Sequence, residues 1–169
     1  MNLFGYIPES VNEGTGLRAV LFISGCRHAC PGCFSPDSWS FRAGEPFTEE
    51  RQQQILQEVI SHPLLDGITL CGGDPFFSAA ECTQWVRQLR DARPDLSVWA
   101  YTGFEYEELV KDKERAELAR LCDVIIDGRY IATERDVSLP FRGSRNQRLI
   151  DVSATQATGD IVTLQLDGV

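Results

Sequence analysis

The stretch "SGCRHACPGC", residues 24–33, places Cys26, Cys30 and Cys33 within eight residues, and it continues directly from the apolar run "RAVLFIS" at 18–24. A run of strand length that ends in three soft ligands makes the strand's C-terminal end the working end of the fold. Near-continuous apolar character suits a strand covered on both faces. The remaining cysteines are single, at 71, 82 and 122. No basic flank precedes an apolar run at the N-terminus, and the purely apolar runs are only a few residues long, so neither export nor a membrane span is expected. In a reducing cytoplasm, clustered cysteines bind metal or do redox work more often than they form disulfides. The expectation is a cytoplasmic metalloprotein in which Cys71, Cys82 and Cys122 are small buried residues.

The rest of the chain alternates. "TEERQQQILQEVISH" (48–62) has a Thr cap, two Glu in its first turn and apolar residues at helical spacing. "GITLCG" (67–72) reads as a strand, and "SAAECTQWVRQLRD" (78–91) as a helix with a capping box of Ser78 and Glu81. "LSVWAYTG" (96–103) is the next strand, a charged and broken helix covers about 105–121, and "DVIID" (123–127) is a further strand. The tail, about 140–169, offers "LIDVSAT" and "IVTLQL" as two more strands around a "TGD" turn. Trp85 and Trp99 fall at core positions of their helix and strand.

Such alternation implies an α/β fold, parallel strands with crossover helices, in an open sheet or a partial (β/α) barrel. With 169 residues and 43% hydrophobic content, the chain builds one core and a single domain, 1–169. In either form chemistry collects at the strand C-termini, so the cysteine loop (24–36), "CGGDPFF", "YTGFEY" and "DGRY" should converge on one site. The net charge of −9 would repel nucleic acid and anionic lipid, so neither is expected as a partner.

A tetrahedral zinc site takes four protein ligands, which here would recruit Cys71, Cys122 or His28 as the fourth. Iron–sulfur clusters also usually take four thiolates. CxxxCxxC supplies three and stops, which can leave one iron of a cubane open for a bidentate small molecule.

At this point the sequence resembles the radical S-adenosylmethionine (SAM) enzymes, whose cluster motif is CxxxCxxC. "GCRHACPGC", "LCGGDP", "VWAYTG", "DVIIDGRY" and "LPFRGSRNQR" follow in the order seen in the subgroup that activates the anaerobic ribonucleoside-triphosphate reductase, over about residues 3–152. The resemblance implies a partial barrel of the radical SAM type and a [4Fe-4S] cluster on Cys26, Cys30 and Cys33, with SAM on the open iron. Gly72, Gly73 and Asp74 would meet the SAM amino group, Gly32 and Phe34 would flank the third cysteine near adenine, and Thr102 and Asp127 would approach the ribose or the methionyl carboxylate. It further implies reductive cleavage of SAM and hydrogen abstraction from a backbone glycine. The partners would be a large glycyl-radical protein, the anaerobic ribonucleotide reductase, and a one-electron donor such as flavodoxin or ferredoxin. No side chain need act as acid or base beyond the cluster and SAM. The chain departs from the subgroup in "CFS" where "CYN" is typical and in "LCGGDP" where "LSGGDP" is typical.

Blander readings stand beside these. His28 reads as a polar loop residue, "GGDP" alone as a turn. Arg142, Arg145 and Arg148 read as a solvated basic loop, a docking surface or an anchor for the SAM carboxylate. Three function classes follow: a glycyl-radical activase, a radical SAM enzyme acting on another glycyl-radical protein or on a small molecule such as a modified purine, and a non-catalytic zinc or iron–sulfur protein.

Overall fold

The computed structural model describes residues 1–166; the last three residues of the expected tail lie outside the described residues. Strand β1 (Asn2–Ser10) runs antiparallel to β2 (Arg18–Ile23), and the two-residue β3 (Glu45–Pro46) pairs with the start of β1. Helix α1 (Glu49–Ser61) leads to β4 (Gly67–Gly72), and α2 (Ala79–Ala92) leads to β5 (Ser97–Tyr101). Two short helices, α3 (Tyr106–Leu109) and α4 (Lys113–Leu121), lead to β6 (Val124–Asp127). Then β7 (Arg148–Asp151) returns antiparallel to β6 and α5 (Val152–Thr158) follows it. The order across the single sheet is β3-β1-β2-β4-β5-β6-β7, with β2, β4, β5 and β6 mutually parallel.

The four expected central strands and the helices between them are present, so the fold is mixed α/β with a parallel centre. Antiparallel β1 and β7 flank that centre. β1 went unseen in the sequence because Gly5 and Pro8 interrupt its alternation and only its Leu3 and Ser10 are buried. Pro8 is tolerated because it falls in the register irregularity between Ile7 and Ser10, beyond the two residues of β1 that β3 pairs.

The tail also differs from expectation. The 149–155 stretch is a strand only to Asp151; the Asp151 carboxylate then accepts from the Ala154 N–H (2.9 Å) and starts α5, which Gly159 ends in the left-handed region. Residues 161–166 form no strand, making one bridge, Thr163 to Ile150, beside β7. The expected Ser78–Glu81 capping box is absent: Ser78 makes no side-chain cap, and Glu81 pairs with the Met1 ammonium. A short 3-10 turn over Pro75–Ser78 precedes α2 and rotates Ser78 away from cap geometry. The capping box lies instead at Glu105 and Glu108, where α3 begins.

Period-two alternation divides the sheet. Val98, Ala100, Ile125 and Ile150 face the main core with the apolar sides of α1, α2 and α4, including fully buried Trp85. Trp99, Val124, Ile126 and Leu149 face the other way into a smaller cluster closed by Phe141. Trp85 and Trp99 are therefore both core, on opposite sides. No helix among the described residues is long and apolar enough to cross a membrane.

On that second face, at the end of the sheet away from the cysteines, lies fully buried Arg18. Its guanidinium donates to Thr69 Oγ1 (2.8 Å), Ser97 Oγ (2.9 Å) and the carbonyls of Thr15 (3.0 Å), Ile68 (2.6 Å) and Ser97 (3.0 Å), and it stacks over Trp99 at 5.1 Å. Burial lowers its pKa to about 10, so it stays charged at neutral pH with neutral oxygens alone as acceptors. Replacing it orphans several buried oxygens at once. Arg18→Leu is expected to destabilise the fold by about 3 kcal/mol, read as a lower urea midpoint at unchanged slope. An unmoved midpoint would mean these bonds contribute nothing net.

Candidate functional site

The loops after β2, β4, β5 and β6 enclose a cavity of about 200 Å³. Cys26, Cys30 and Cys33 all line it, together with Phe34, Gly72, Gly73 and Thr102. The expected convergence of separate loops is thus found, with Tyr101, Tyr130 and Gln147 added from β5 and from the segments after β6.

The cysteine loop is held by its own backbone. Gly25 N–H donates to the Ser38 carbonyl (2.8 Å) and Cys26 N–H to the Trp39 carbonyl (3.0 Å), so the residues after the loop fold back under its start. Cys33 N–H donates to the Cys30 carbonyl (3.0 Å), and Ser35 N–H points at Cys33 Sγ (3.4 Å). Ala29 (φ 49°) and Gly32 (φ 78°) turn the chain through the left-handed region. For alanine that conformation carries strain, which persists where surroundings over-determine it. All three side chains keep partial exposure, and burial pushes the Cys26 thiol up to about 11.

Asp74 sits behind the cavity, 1% exposed, and is not part of its lining. Its Oδ2 accepts from Thr102 Oγ1 (2.9 Å) and Gly103 N–H (2.9 Å) and lies 2.9 Å from His28 Nε2; its Oδ1 accepts from Phe76 N–H (2.9 Å). The Asp74 N–H also donates to the Gly25 carbonyl (2.9 Å). The face that "GGDP" turns toward the cavity is therefore Gly72 and Gly73. A Cβ on Gly73 would lie 2.6 Å from the Gly25 carbonyl oxygen, so only glycine lets the cysteine loop rest on the end of β4. His28 is not a solvated loop residue either. Its side chain is 5% exposed and packs between Phe77 (5.1 Å) and Phe104 (4.5 Å), and a Cβ on Gly103 would come within 2.4 Å of its ring.

Asp127 is likewise 1% exposed and outside the lining. It accepts from Arg148 Nε (3.0 Å), Arg148 Nη2 (2.5 Å) and Tyr106 N–H (2.8 Å), and Arg148 also grips Glu107 (2.8 Å). These two carboxylates raise the Arg148 pKa, and Arg148 holds Glu107 below the usual carboxylate range. Gly32 is exposed on the outer side of the loop, facing Tyr130 and Ala132. Of the basic tail residues, Arg148 is structural, Arg145 is exposed, and Arg142 lines an adjoining cavity of about 330 Å³. The tail's contact with the cysteine cavity is Gln147, whose side chain bonds Gly143 N–H (2.8 Å) and the Gly128 carbonyl (2.9 Å).

The donor set fits an iron–sulfur cube. Among the described residues no three His, Cys, Asp or Glu side chains gather on a point as a single ion requires. Three thiols around one cavity suit an object with volume of its own. Cys71, on the buried floor, and Cys122, fully buried with its thiol on the Leu118 carbonyl, have thiol pKa values raised by burial. The indole N–H of Trp39, in the cavity wall, is buried without a partner among the described residues, leaving one donor free for a guest.

Comparison with known proteins also points to a 4Fe-4S cluster. Residues 12–150 match the family model described as a 4Fe-4S single cluster domain. An anaerobic ribonucleoside-triphosphate reductase-activating protein of Pasteurella multocida (strain Pm70) is 40% identical over 150 residues, covering 87% of this chain and 95% of its own. One of Haemophilus influenzae (strain ATCC 51907 / DSM 11121 / KW20 / Rd) is 39% identical, with 87% and 96% covered. One of Enterobacteria phage T4 is 34% identical over 155 residues, with 88% and 93% covered. With this identity along nearly the whole length, and a matched domain spanning all three loop cysteines, the chain belongs to the family of anaerobic ribonucleoside-triphosphate reductase-activating proteins.

Proposed function

We propose that the protein is a radical SAM activase that generates a glycyl radical on an anaerobic ribonucleoside-triphosphate reductase, working in the cytoplasm with a flavodoxin- or ferredoxin-type electron donor. The observation that carries this reading is the cavity shared by the three loop thiols and the glycine-rich end of β4. Cys26, Cys30 and Cys33 would hold a [4Fe-4S] cluster, and SAM would lie against Gly72 and Gly73. The chemistry such a cluster supplies when bound is one-electron cleavage of a sulfonium carbon–sulfur bond.

The chain's own groups then bind, orient and exclude water. Gly72 and Gly73 give a wall without side chains, against which a ligand can lie close. Phe34 and Tyr130 stand 5.2 Å apart at the mouth, offering aromatic faces to an adenine ring. Trp39 Nε1 offers a hydrogen bond. Asp74 and Asp127 act by position, each fixing strand ends that carry cavity residues, so the expected contact of Asp74 with an ammonium gives way to a supporting role. The aromatic packing around His28 closes the side of the loop away from the mouth. The parallel strands β2, β4, β5 and β6 would be a shortened wall of the radical SAM partial barrel, with β1 and β7 protecting its edges.

Anaerobic reconstitution with iron and sulfide, followed by SAM and dithionite, tests the class. Iron-loaded protein should yield 5′-deoxyadenosine, whereas stoichiometric zinc without that product would return the chain to the structural-metal class. Cys30→Ala is expected to abolish product formation while far-UV circular dichroism stays unchanged; retained turnover would remove Cys30 from the ligand set. Asp74→Ala should lower both iron retention and SAM affinity by at least about tenfold, since the lost bonds to a charged acceptor hold three loops in register. Normal iron content with normal SAM affinity in that variant would refute the supporting role.

A further inference from the structure

Three cysteines lie outside the loop, and one of them differs from the other two. Cys82 and Cys122 belong to the main core, where the Cys82 thiol points at the Met1 sulfur (3.7 Å) and the Cys122 thiol donates to the Leu118 carbonyl (3.4 Å). Cys71 belongs to neither apolar cluster. It is 8% exposed and lines the cysteine cavity, and its thiol hydrogen has no acceptor among the described residues. Burial and the Glu13 carboxylate raise its pKa, so the sulfur keeps its hydrogen at neutral pH.

The position of that S–H bond decides what it can do. Cys71 directly precedes Gly72 and Gly73, the wall without side chains, and the same cavity holds the unpartnered Trp39 indole N–H. A guest held there lies beside the thiol. A sulfur–hydrogen bond is weaker than the carbon–hydrogen bond of a methyl group, whereas an alcohol O–H bond is stronger. A primary alkyl radical in this cavity therefore takes hydrogen downhill from Cys71, but not from the hydroxyls of Ser35 or Thr102. Tyr101 and Tyr130 also line the cavity, yet thiols pass hydrogen to alkyl radicals faster than phenols do.

We infer that Cys71 is a hydrogen-atom donor that quenches the 5′-deoxyadenosyl radical when no reductase glycine is in place, so that the protein alone reduces SAM to 5′-deoxyadenosine and methionine. The inference rests on the proposed radical SAM reading. One electron breaks the carbon–sulfur bond of SAM and gives methionine and the carbon radical. That radical gains a carbon–hydrogen bond as the Cys71 S–H bond breaks, which leaves a thiyl radical. A second electron from the same one-electron donor and a proton from water restore the thiol. Each SAM thus consumes two electrons and one proton.

The test uses the iron-loaded full chain without reductase, incubated with SAM and dithionite in deuterium oxide, and mass spectrometry reads the deuterium in 5′-deoxyadenosine. A thiol exchanges its hydrogen with solvent, and carbon does not. Wild type should give mainly singly deuterated product. Cys71→Ser keeps the shape of the site and offers only an alcohol; its product should lose most of the label, because the radical must then take carbon-bound hydrogen. Cys71→Ala, with full iron content, should lose it equally, and Tyr101→Phe should keep the wild-type label. The label is read per product molecule, so a slower variant gives the same answer. Unlabelled wild-type product, full label in Cys71→Ser, or label lost in Tyr101→Phe would each overturn the inference and leave the radical SAM reading standing. No 5′-deoxyadenosine from iron-loaded wild type would sink that reading and the inference with it.

Discussion

One buried carboxylate organises the working end of this protein. Asp74 receives hydrogen bonds from the end of β5 through Thr102 and Gly103, from the turn before α2 through Phe76, and contacts His28 in the cysteine loop. A carboxylate removed from water needs such partners, because an unsatisfied buried charge is far costlier than an unsatisfied neutral group. With its backbone N–H also committed to Gly25, the residue clamps three separate loops at one depth. The thiols, the glycine wall and the aromatic packing around His28 all take their positions relative to that clamp.

The sheet separates stability from chemistry. Its helical side is apolar and closes over Trp85, while its other side carries Arg18, Thr69, Cys71 and Tyr101 on the alternate positions of β2, β4 and β5. Arg18 ties those strands together at one end, and at the other their C-terminal loops open into the cavity. Parallel strands release their loops at one edge, so the segments after β2, β4, β5 and β6 meet there, two of them long, 24–44 and 128–147. Such a small domain leaves its mouth framed by exposed Phe34 and by Tyr130.

Much of this was legible beforehand. The central strands carry continuous apolar runs because both sheet faces are covered, and α1 shows its Thr48 cap openly. Less legible were features set by partners distant in sequence. The capping pattern at Ser78 and Glu81 is formally correct, yet a proline turn ahead of it and the Met1 ammonium claim those residues. β1 hides behind Gly5 and Pro8 because, beyond the two residues that β3 pairs, one of its sides is open and needs less pattern than a central strand. Trp39 is not legible as a site residue, since an aromatic after a loop looks the same in sequence whether it packs inward or lines a cavity.

The sequence by itself determined the residue types and their order: three thiols with no fourth beside them, glycines at the end of the next strand, and alternation that sends every loop to the same edge. Local spacing suffices for these because strand, turn and ligand loop are each written within a few consecutive residues. Only the tertiary structure decided which residues face the cavity and which stand behind it. Asp74 and Asp127 look like ligand-binding residues in one dimension, but in three they are buried supports behind the cavity, while His28, which reads as a solvated loop residue, packs among aromatic rings and reaches the cavity wall. Their hydrogen-bond partners come from other strands and loops, and burial, which makes those partners obligatory, is a property of the assembled fold.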